Sequence, residues 1–241
     1  MKNSNNFAVI ITAAGSSTRM GGSIKKEYLP LKDGTVLSTC IKAFVDASKN
    51  PENHFNISNL IITVPADGPE GASAAMTAFF NLDPGIQEII DYVQGGQSRH
   101  RSVYNALEHI ANSANQPDYV IIHDGARPFV TEEIIREVVQ AAQEFGAAAP
   151  GFTPSDTQKE IDENGFIKRH LIRKDLVSIQ TPQGFQFKPL LEAHKKAFCD
   201  GHEYTDDTEI WGKYCGRVKV TSGSPKNLKI TYPGDLEKGS L

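Results

Sequence analysis

Residues 7–26 read FAVIITAAGSSTRMGGSIKK, and this stretch decides the fold. Its first six residues, Phe7–Thr12, are apolar and rich in β-branched side chains, the pattern of a strand buried on both faces. Ala13, Ala14 and Gly15 then open a loop of small residues, and two cations follow, Arg19 and Lys26. Small side chains let backbone N–H groups approach an anion closely. Arg and Lys bring charge and donors to the same place. The combination suits a triphosphate. It is not a Walker loop, because no G-K-[ST] closes it, and it is not G-x-G-x-x-G. A strand-to-helix turn that merely requires small residues has the same composition.

Outward from this stretch the same alternation repeats. Leu60–Val64, Ile89–Val93 and Tyr119–His123 read as further buried strands. Val36–Ala47, Glu70–Asn81 and Ser98–Ala111 carry apolar residues at helical spacing. Thr131 followed by Glu132 and Glu133 predicts a helix start, with a threonine cap and acids in the first turn, running to about Phe145. The β-α-β-α order predicts an α/β, Rossmann-like three-layer fold with a mostly parallel central sheet and right-handed crossovers. Ligands of such sheets sit at the carboxyl ends of the strands. Residues 13–26, 95–102 and 124–128 all follow predicted strands, so these distant loops can converge on one site.

The chain, at 241 residues, is long enough to bury a sizeable core, and its 39% hydrophobic and 22% charged fractions are ordinary for a globular protein. A net charge of −4 with intermixed signs argues against a nucleic-acid binder working through phosphate contacts. Cys40, Cys199 and Cys215 are odd in number and lack metal-ligand spacing, which points to reduced, buried thiols. The N-terminus does not read as a signal peptide and no segment reads as a membrane span, so no membrane partner and a cytoplasmic location are expected. Residues 157–173 break the alternation. Asn164-Gly165 lies between two short polar runs with strand character, a hairpin signal because both residues tolerate positive φ. Polar flanks keep such a hairpin out of the core, and a two-stranded hairpin is marginal alone. A β-hairpin arm over about 153–175, packed on a second subunit, is therefore expected; a mobile surface hairpin is the alternative.

Several further motifs carry chemistry. In GGQSRHRSV (95–103) the glycines permit close approach of a flat ligand, and Ser98 or Ser102 can cap a helix or bond a base edge. In HDGARPF (123–129) Asp124 and Arg127 end an apolar strand, where a carboxylate can meet a ribose hydroxyl or metal-bound water; a salt bridge between the two is the alternative. TPQGF (181–185), TDDTEIW (205–211) and GSPKNLKITYPGDL (223–236) follow, and Lys229, flanked by apolar residues, is expected on a strand.

In this order, AAGxxxRM, GGxxRxxSV, HDxARP, DTxK, TPQxF and TDD before NLKIT resemble the 2-C-methyl-D-erythritol 4-phosphate cytidylyltransferases, from about Phe7 to Leu236. The resemblance implies a single nucleotidyltransferase domain over 1–241. It implies that CTP and the polyol phosphate give a CDP-linked alcohol and pyrophosphate, by in-line attack without a covalent enzyme intermediate. Catalysis is then positioning and electrostatics. By residue matching, Arg19 and Lys26 stabilise charge on the triphosphate and Ala13, Ala14 and Gly15 wrap it. Gly96 and Ser102 read cytosine. Asp124 lies near the ribose and the metal, a Mg²⁺ ion held mainly by phosphate oxygens. Arg127, Thr157, Arg173, Thr181, Thr205 and Lys229 hold the acceptor, with Arg173 and Lys229 counted as catalytic. Thr157 and Arg173 would reach a neighbour's site through a homodimer joined by the arm. The chain departs from the family pattern at Lys25-Lys26-Glu27-Tyr28, where Pro-Lys-Gln-Tyr is common, at Gln97, where an acid is usual, and at Gly125. Spacing from Arg19 favours Lys26 over Lys25 as the catalytic lysine. A ribitol 5-phosphate cytidylyltransferase shares these loops, but its AGG and HDSVRP variants are not found here. A non-catalytic CTP-binding protein on the same fold is a third reading, opposed by the retention of Arg19, Lys26, Arg173 and Lys229.

Overall fold

The computed structural model describes residues 5–17, 20, 24–82 and 84–238. Strand β1 (Asn5–Thr12) leads to a short ribbon of β2 (Pro30–Leu31) and β3 (Gly34–Thr35), and then to α1 (Val36–Lys49). Next come β4 (Phe55–Val64), α2 (Glu70–Leu82), β5 (Ile90–Gln94), α3 (Arg99–Ala111), β6 (Tyr119–Asp124) and α4 (Glu132–Phe145). The second half holds β7 (Ala147–Phe152), β8 (Lys159–Ile161), β9 (Ile167–His170), β10 (Ser178–Ile179) and β11 (Gln183–Gln186). It closes with α5 (Phe187–Cys199), α6 (Asp207–Tyr214), β12 (Lys219–Ser222) and α7 (Asp235–Lys238).

The main sheet runs β10-β7-β11-β6-β1-β4-β5, with β12 also paired to β7. Its β5-β4-β1-β6 half is wholly parallel, whereas β11 and β10 pair antiparallel to their neighbours. The sheet is therefore mixed, with a mostly parallel centre. The apolar run at 7–12 explains why β1 is central: its side chains alternate between the two faces and both faces are covered. Phe7, Val9 and Ile11 join one core with Leu37, Ile41 and Phe44 of α1 and Ile135 and Val139 of α4. Ala8 and Ile10 join the other, with Val103, Leu107 and Ile110 of α3 and Leu190 of α5. Thr131 caps α4, its hydroxyl accepting the Ile134 N–H, a contact that stabilises a helix by about 1 kcal/mol.

Three expectations need correction. Of the three cysteines only Cys40 is buried; Cys199 and Cys215 are exposed, because they lie at the ends of α5 and α6. Lys229 is not on a strand: residues 228–231 form no ladder, and Ile230 N–H alone reaches across, to Ala126 O at 2.8 Å. The arm turns through three residues rather than two. Asp162 N–H donates to Phe166 O and Gly165 N–H to Asp162 O, the pattern of a type I turn with a bulge. Only Gly165 of the Asn-Gly pair has positive φ, +83°. The Asp162 carboxylate accepts the N–H groups of both Asn164 and Phe166, which supplies the extra hold a longer turn needs. Strands β8 and β9 pair only with each other, and every residue from 161 to 170 is exposed.

Candidate active site

The parallel strands β1, β4, β5 and β6 end side by side, and the loops that leave them are stitched together. Ala13 N–H donates to Thr63 Oγ1 at 3.1 Å, Gly95 N–H to Val64 O at 2.7 Å, and Gly125 N–H to Thr12 O at 3.0 Å. A cleft of about 480 Å³ opens above them, within the range of small-molecule sites. Ala14, Gly15, Lys26, Gly96, Ser102, Asp124 and Lys229 line it.

The small-residue loop forms one wall. Ser17, at φ 53°, turns the chain, and its hydroxyl donates to buried Glu27 while receiving the Lys26 N–H. Lys26 is itself buried along this wall, and its Nζ donates to Ile230 O at 3.0 Å. Lys25 instead turns to Gly15 O and does not line the cleft, whereas Lys26 does. Arg19 lies outside the described residues.

The second wall is the glycine loop before α3. Ser98 caps that helix by accepting the Arg101 N–H at 3.2 Å. The Ser102 hydroxyl donates its proton to Ser98 O at 2.9 Å and accepts the Gly96 N–H at 3.0 Å. Its remaining lone pair can only accept. Both glycines are required by space: a Cβ on Gly96 would stand 2.1 Å from Arg101 Cγ, and one on Gly95 2.3 Å from the Ala14 Cβ.

The floor is an ion cluster. Asp124, 6% exposed, has Arg99 Nε at 3.3 Å from Oδ1, and Lys229 Nζ at 2.8 Å and Arg127 Nε at 3.4 Å from Oδ2. Burial pushes its carboxyl up, but the three cations outweigh burial and hold it well below the usual carboxylate range. Behind it, Arg99 Nη1 bonds Asp207 Oδ2 at 2.6 Å, and Asp207 Oδ1 lies 3.1 Å from Nε2 of buried His194. Beneath the floor, His123 has its acidity set by burial, which pulls it down to about 4. Thr181 Oγ1 accepts the Asp124 N–H and faces His123 Nδ1, while His123 Nε2 faces Arg127 O at 3.0 Å. A neutral ring with its proton on Nε2 satisfies all of these contacts.

The other predicted residues lie elsewhere. Ala13 is buried just below the cleft, and Arg127 braces the floor by donating from Nη1 to Asn227 O at 2.8 Å. Thr181 supports the end of β6 from outside the cleft lining. Thr157 and Arg173 are exposed at the base of the arm, where Arg173 Nη1 donates to Ser155 O at 2.6 Å. Thr205 is exposed before α6, bonded to Glu209. The described residues contain no group of three His, Cys, Asp or Glu side chains placed to hold a metal. Arg99 and Gln97 also line the cleft; in the sequence Gln97 stood out only as a departure, and Arg99, inside the GGxxRxxSV pattern, had no role assigned to it. Arg99 carried a usable signal, because a cation in the first turn of a helix opposes the helix dipole and calls for another partner.

A family model described as IspD, 2-C-methyl-D-erythritol 4-phosphate cytidylyltransferase, matches residues 7–240. A protein of that name from Clostridium novyi is 37% identical over 236 residues, 98% of this chain and 95% of that protein. One from Clostridium beijerinckii is 39% identical over 229 residues, 95% of this chain and 94% of that protein. The crystal structure of 4-diphosphocytidyl-2C-methyl-D-erythritol synthase from Anaerococcus prevotii superposes with a TM-score of 0.78 at 25% identity, covering 98% and 95% of the two chains.

Proposed function

This chain belongs to the 2-C-methyl-D-erythritol 4-phosphate cytidylyltransferase family, and from that premise we propose how its cleft carries out the reaction. The enzyme joins CTP and 2-C-methyl-D-erythritol 4-phosphate to give 4-diphosphocytidyl-2-C-methyl-D-erythritol and pyrophosphate, a nucleotidyl transfer in non-mevalonate isoprenoid biosynthesis. An acceptor phosphate oxygen bonds to the α-phosphorus as the bond to the β-phosphate oxygen breaks. Charge accumulates on the phosphoryl oxygens, so preorganised donors carry the catalysis.

One observation carries the assignment of the base pocket: the Ser102 proton is already spent on Ser98 O. What Ser102 offers the cleft is a lone pair. The N4 amino group of cytosine can donate to it, whereas the O4 of uracil would face it lone pair to lone pair. Gly96 provides the flat backbone beside it. The loop of Ala13, Ala14 and Gly15, with Arg19 and Lys26, takes the triphosphate. Asp124 faces the ribose and Lys229 the acceptor phosphate, with Arg127 acting on that site through its hold on Asp124.

Mg²⁺ is the metal we propose, and when bound it would neutralise triphosphate charge. Both Asp124 oxygens already face cations at 2.8–3.4 Å, so the triphosphate would hold the metal mainly by itself, with Asp124 the protein carboxylate available beside it. A homodimer completes the acceptor site. Ile161, Phe166, Ile167 and Ile172 are all more than half exposed on the arm, an apolar surface that a second copy would cover. Thr157 and Arg173 would then serve the neighbour's cleft, with Thr181 and Thr205 bordering the polyol. A cytoplasmic location accords with three free cysteines and with no described helix being long and apolar enough to cross a membrane. The test is CTP-dependent pyrophosphate release with each polyol phosphate offered separately. Turnover of the methylerythritol phosphate is expected, and faster turnover of ribitol 5-phosphate at equal concentration would reassign the acceptor.

A further inference from the structure

Lys229 is already engaged: its Nζ lies 2.8 Å from Asp124 Oδ2. To meet a substrate phosphate the ammonium must loosen its hold on a carboxylate that is nearly buried. Leaving such a carboxylate uncompensated would be costly. The surroundings reduce that cost. Arg127 reaches the same carboxylate from its own loop, and Arg99 reaches it from the opposite side of the cleft. Three cations thus face two carboxylates, Asp124 and Asp207, an excess of one positive charge on the floor.

Arg99 is the member of this cluster held from outside the strand-end loops. Its Nη1 is fixed 2.6 Å from fully buried Asp207 on α6, which is backed by His194 on α5. Its Nη2 is buried without a hydrogen-bond partner among the described residues. The guanidinium is therefore committed to two carboxylates and presents a fixed charge to Asp124. We propose that Arg99 is a positioning residue for Lys229: by sharing Asp124, it weakens the carboxylate's hold on the lysine and lets the ammonium move to the incoming phosphate. The inference rests on the reading that Lys229 meets that phosphate. Without Arg99, Asp124 would draw Lys229 in more tightly.

The grip on Lys229 can be read without turnover. Trace acetylation of the intact protein by acetic anhydride, followed by peptide mass spectrometry, reports how tightly the amine is held, with exposed Lys32 as the internal reference. Arg99→Ala combined with Asp207→Asn removes the guanidinium without leaving an unpaired buried carboxylate. Labelling of Lys229 should fall about threefold or more relative to Lys32, the size expected for one screened charge a few ångströms away. Arg99→Gln, which keeps hydrogen bonds and loses the charge, should give the same fall, and Arg99→Lys should restore part of it. In the charge-removing variants kcat should fall about tenfold while KM for CTP moves less than about threefold, because the interaction lost matters mainly in the transition state. Unchanged Lys229 labelling in a variant with wild-type CTP binding and Tm overturns the proposal whatever the kinetics. Unchanged turnover in Lys229→Ala instead overturns the role of the lysine on which the proposal rests, and the labelling result stands apart from it.

Discussion

The cleft floor and the arm both carry residues that the motif resemblance proposes for the reaction, yet they are built in opposite ways. On the floor every assigned side chain is held by another: Asp124 by three cations, Arg127 by Asn227 O, Thr181 by the end of β6. On the arm, Thr157 and Arg173 are exposed, and four large apolar side chains stand out beyond them. Buried charges must be paired where they lie, so a floor can be finished within one chain. An exposed ribbon of two strands cannot stabilise itself, so its geometry is finished by whatever packs on it. On the proposed reading, the nucleotide half of the site is self-contained and the acceptor half is completed by a partner.

That contrast can be broken most decisively at the arm. Gln158 O already receives the Leu171 N–H at 3.3 Å, so a diglycine link can replace residues 160–170 without straining the ends. The shortened protein should be monomeric by sedimentation and have no measurable turnover, while binding CTP within about threefold of wild type by calorimetry, an interval worth under 1 kcal/mol. Full turnover by a monomer would remove the distinction. Next in size is Lys26→Ala on the cleft wall. One preorganised donor to developing charge is lost, and kcat should fall about 10²-fold or more, with a much smaller effect on CTP affinity. Equal loss in a Lys25→Ala control would move the role to its neighbour.

Arg173→Lys sharpens the comparison from the acceptor side. The charge stays but the two-pronged grip on phosphate goes. A fall of about tenfold in kcat/KM for the polyol phosphate is expected, with KM for CTP unchanged, the size of one charge-assisted hydrogen bond. A matching rise in KM for CTP would place Arg173 on the nucleotide instead. The smallest effect lies beneath the floor. Native His123 stays neutral down to about pH 4, whereas the unfolded imidazole protonates near 6.5. Between those values the unfolded chain binds more protons, so stability rises with pH and is lost as pH falls from 6.5 to 4. Urea midpoints at fixed protein concentration should show this slope, at most about 1.4 kcal/mol per pH unit, and His123→Asn should lose it. Asp124 and Asp207 are both held low, so their contribution disappears only at more acidic pH.

The parallel half of the sheet was legible because its strands are apolar on both faces and its helices carry plain spacing and caps. The other half was not. β7 is AAAPGF, small residues and a proline that carry no strand signal, and its pairing is imposed by β11 and β12 on either side. Gly184 on β11 fits there because Val138 Cγ1 of α4 would lie 3.0 Å from any added Cβ, a contact that sequence periodicity cannot foresee. The extended run around Lys229 looked like a strand and lacks a ladder; its Ile230 is buried against Leu31 and Val36 rather than within the main sheet. The loops of the site were legible as motifs because their chemistry is backbone chemistry and needs particular small residues. Asp207 was visible only as part of TDD, and its bond to Arg99 joins residues 108 positions apart.

The two glycines of the second wall also restrict how this enzyme could change. No side chain fits at Gly96 above Arg101 or at Gly95 against Ala14. Substitution at those positions therefore cannot reshape the wall by degrees; it can only dismantle it. With the base against this wall as proposed, a shift toward another pyrimidine or a purine would have to be selected at Gln97, Ser98 or Ser102, which would leave few routes by which a new nucleotide preference could arise.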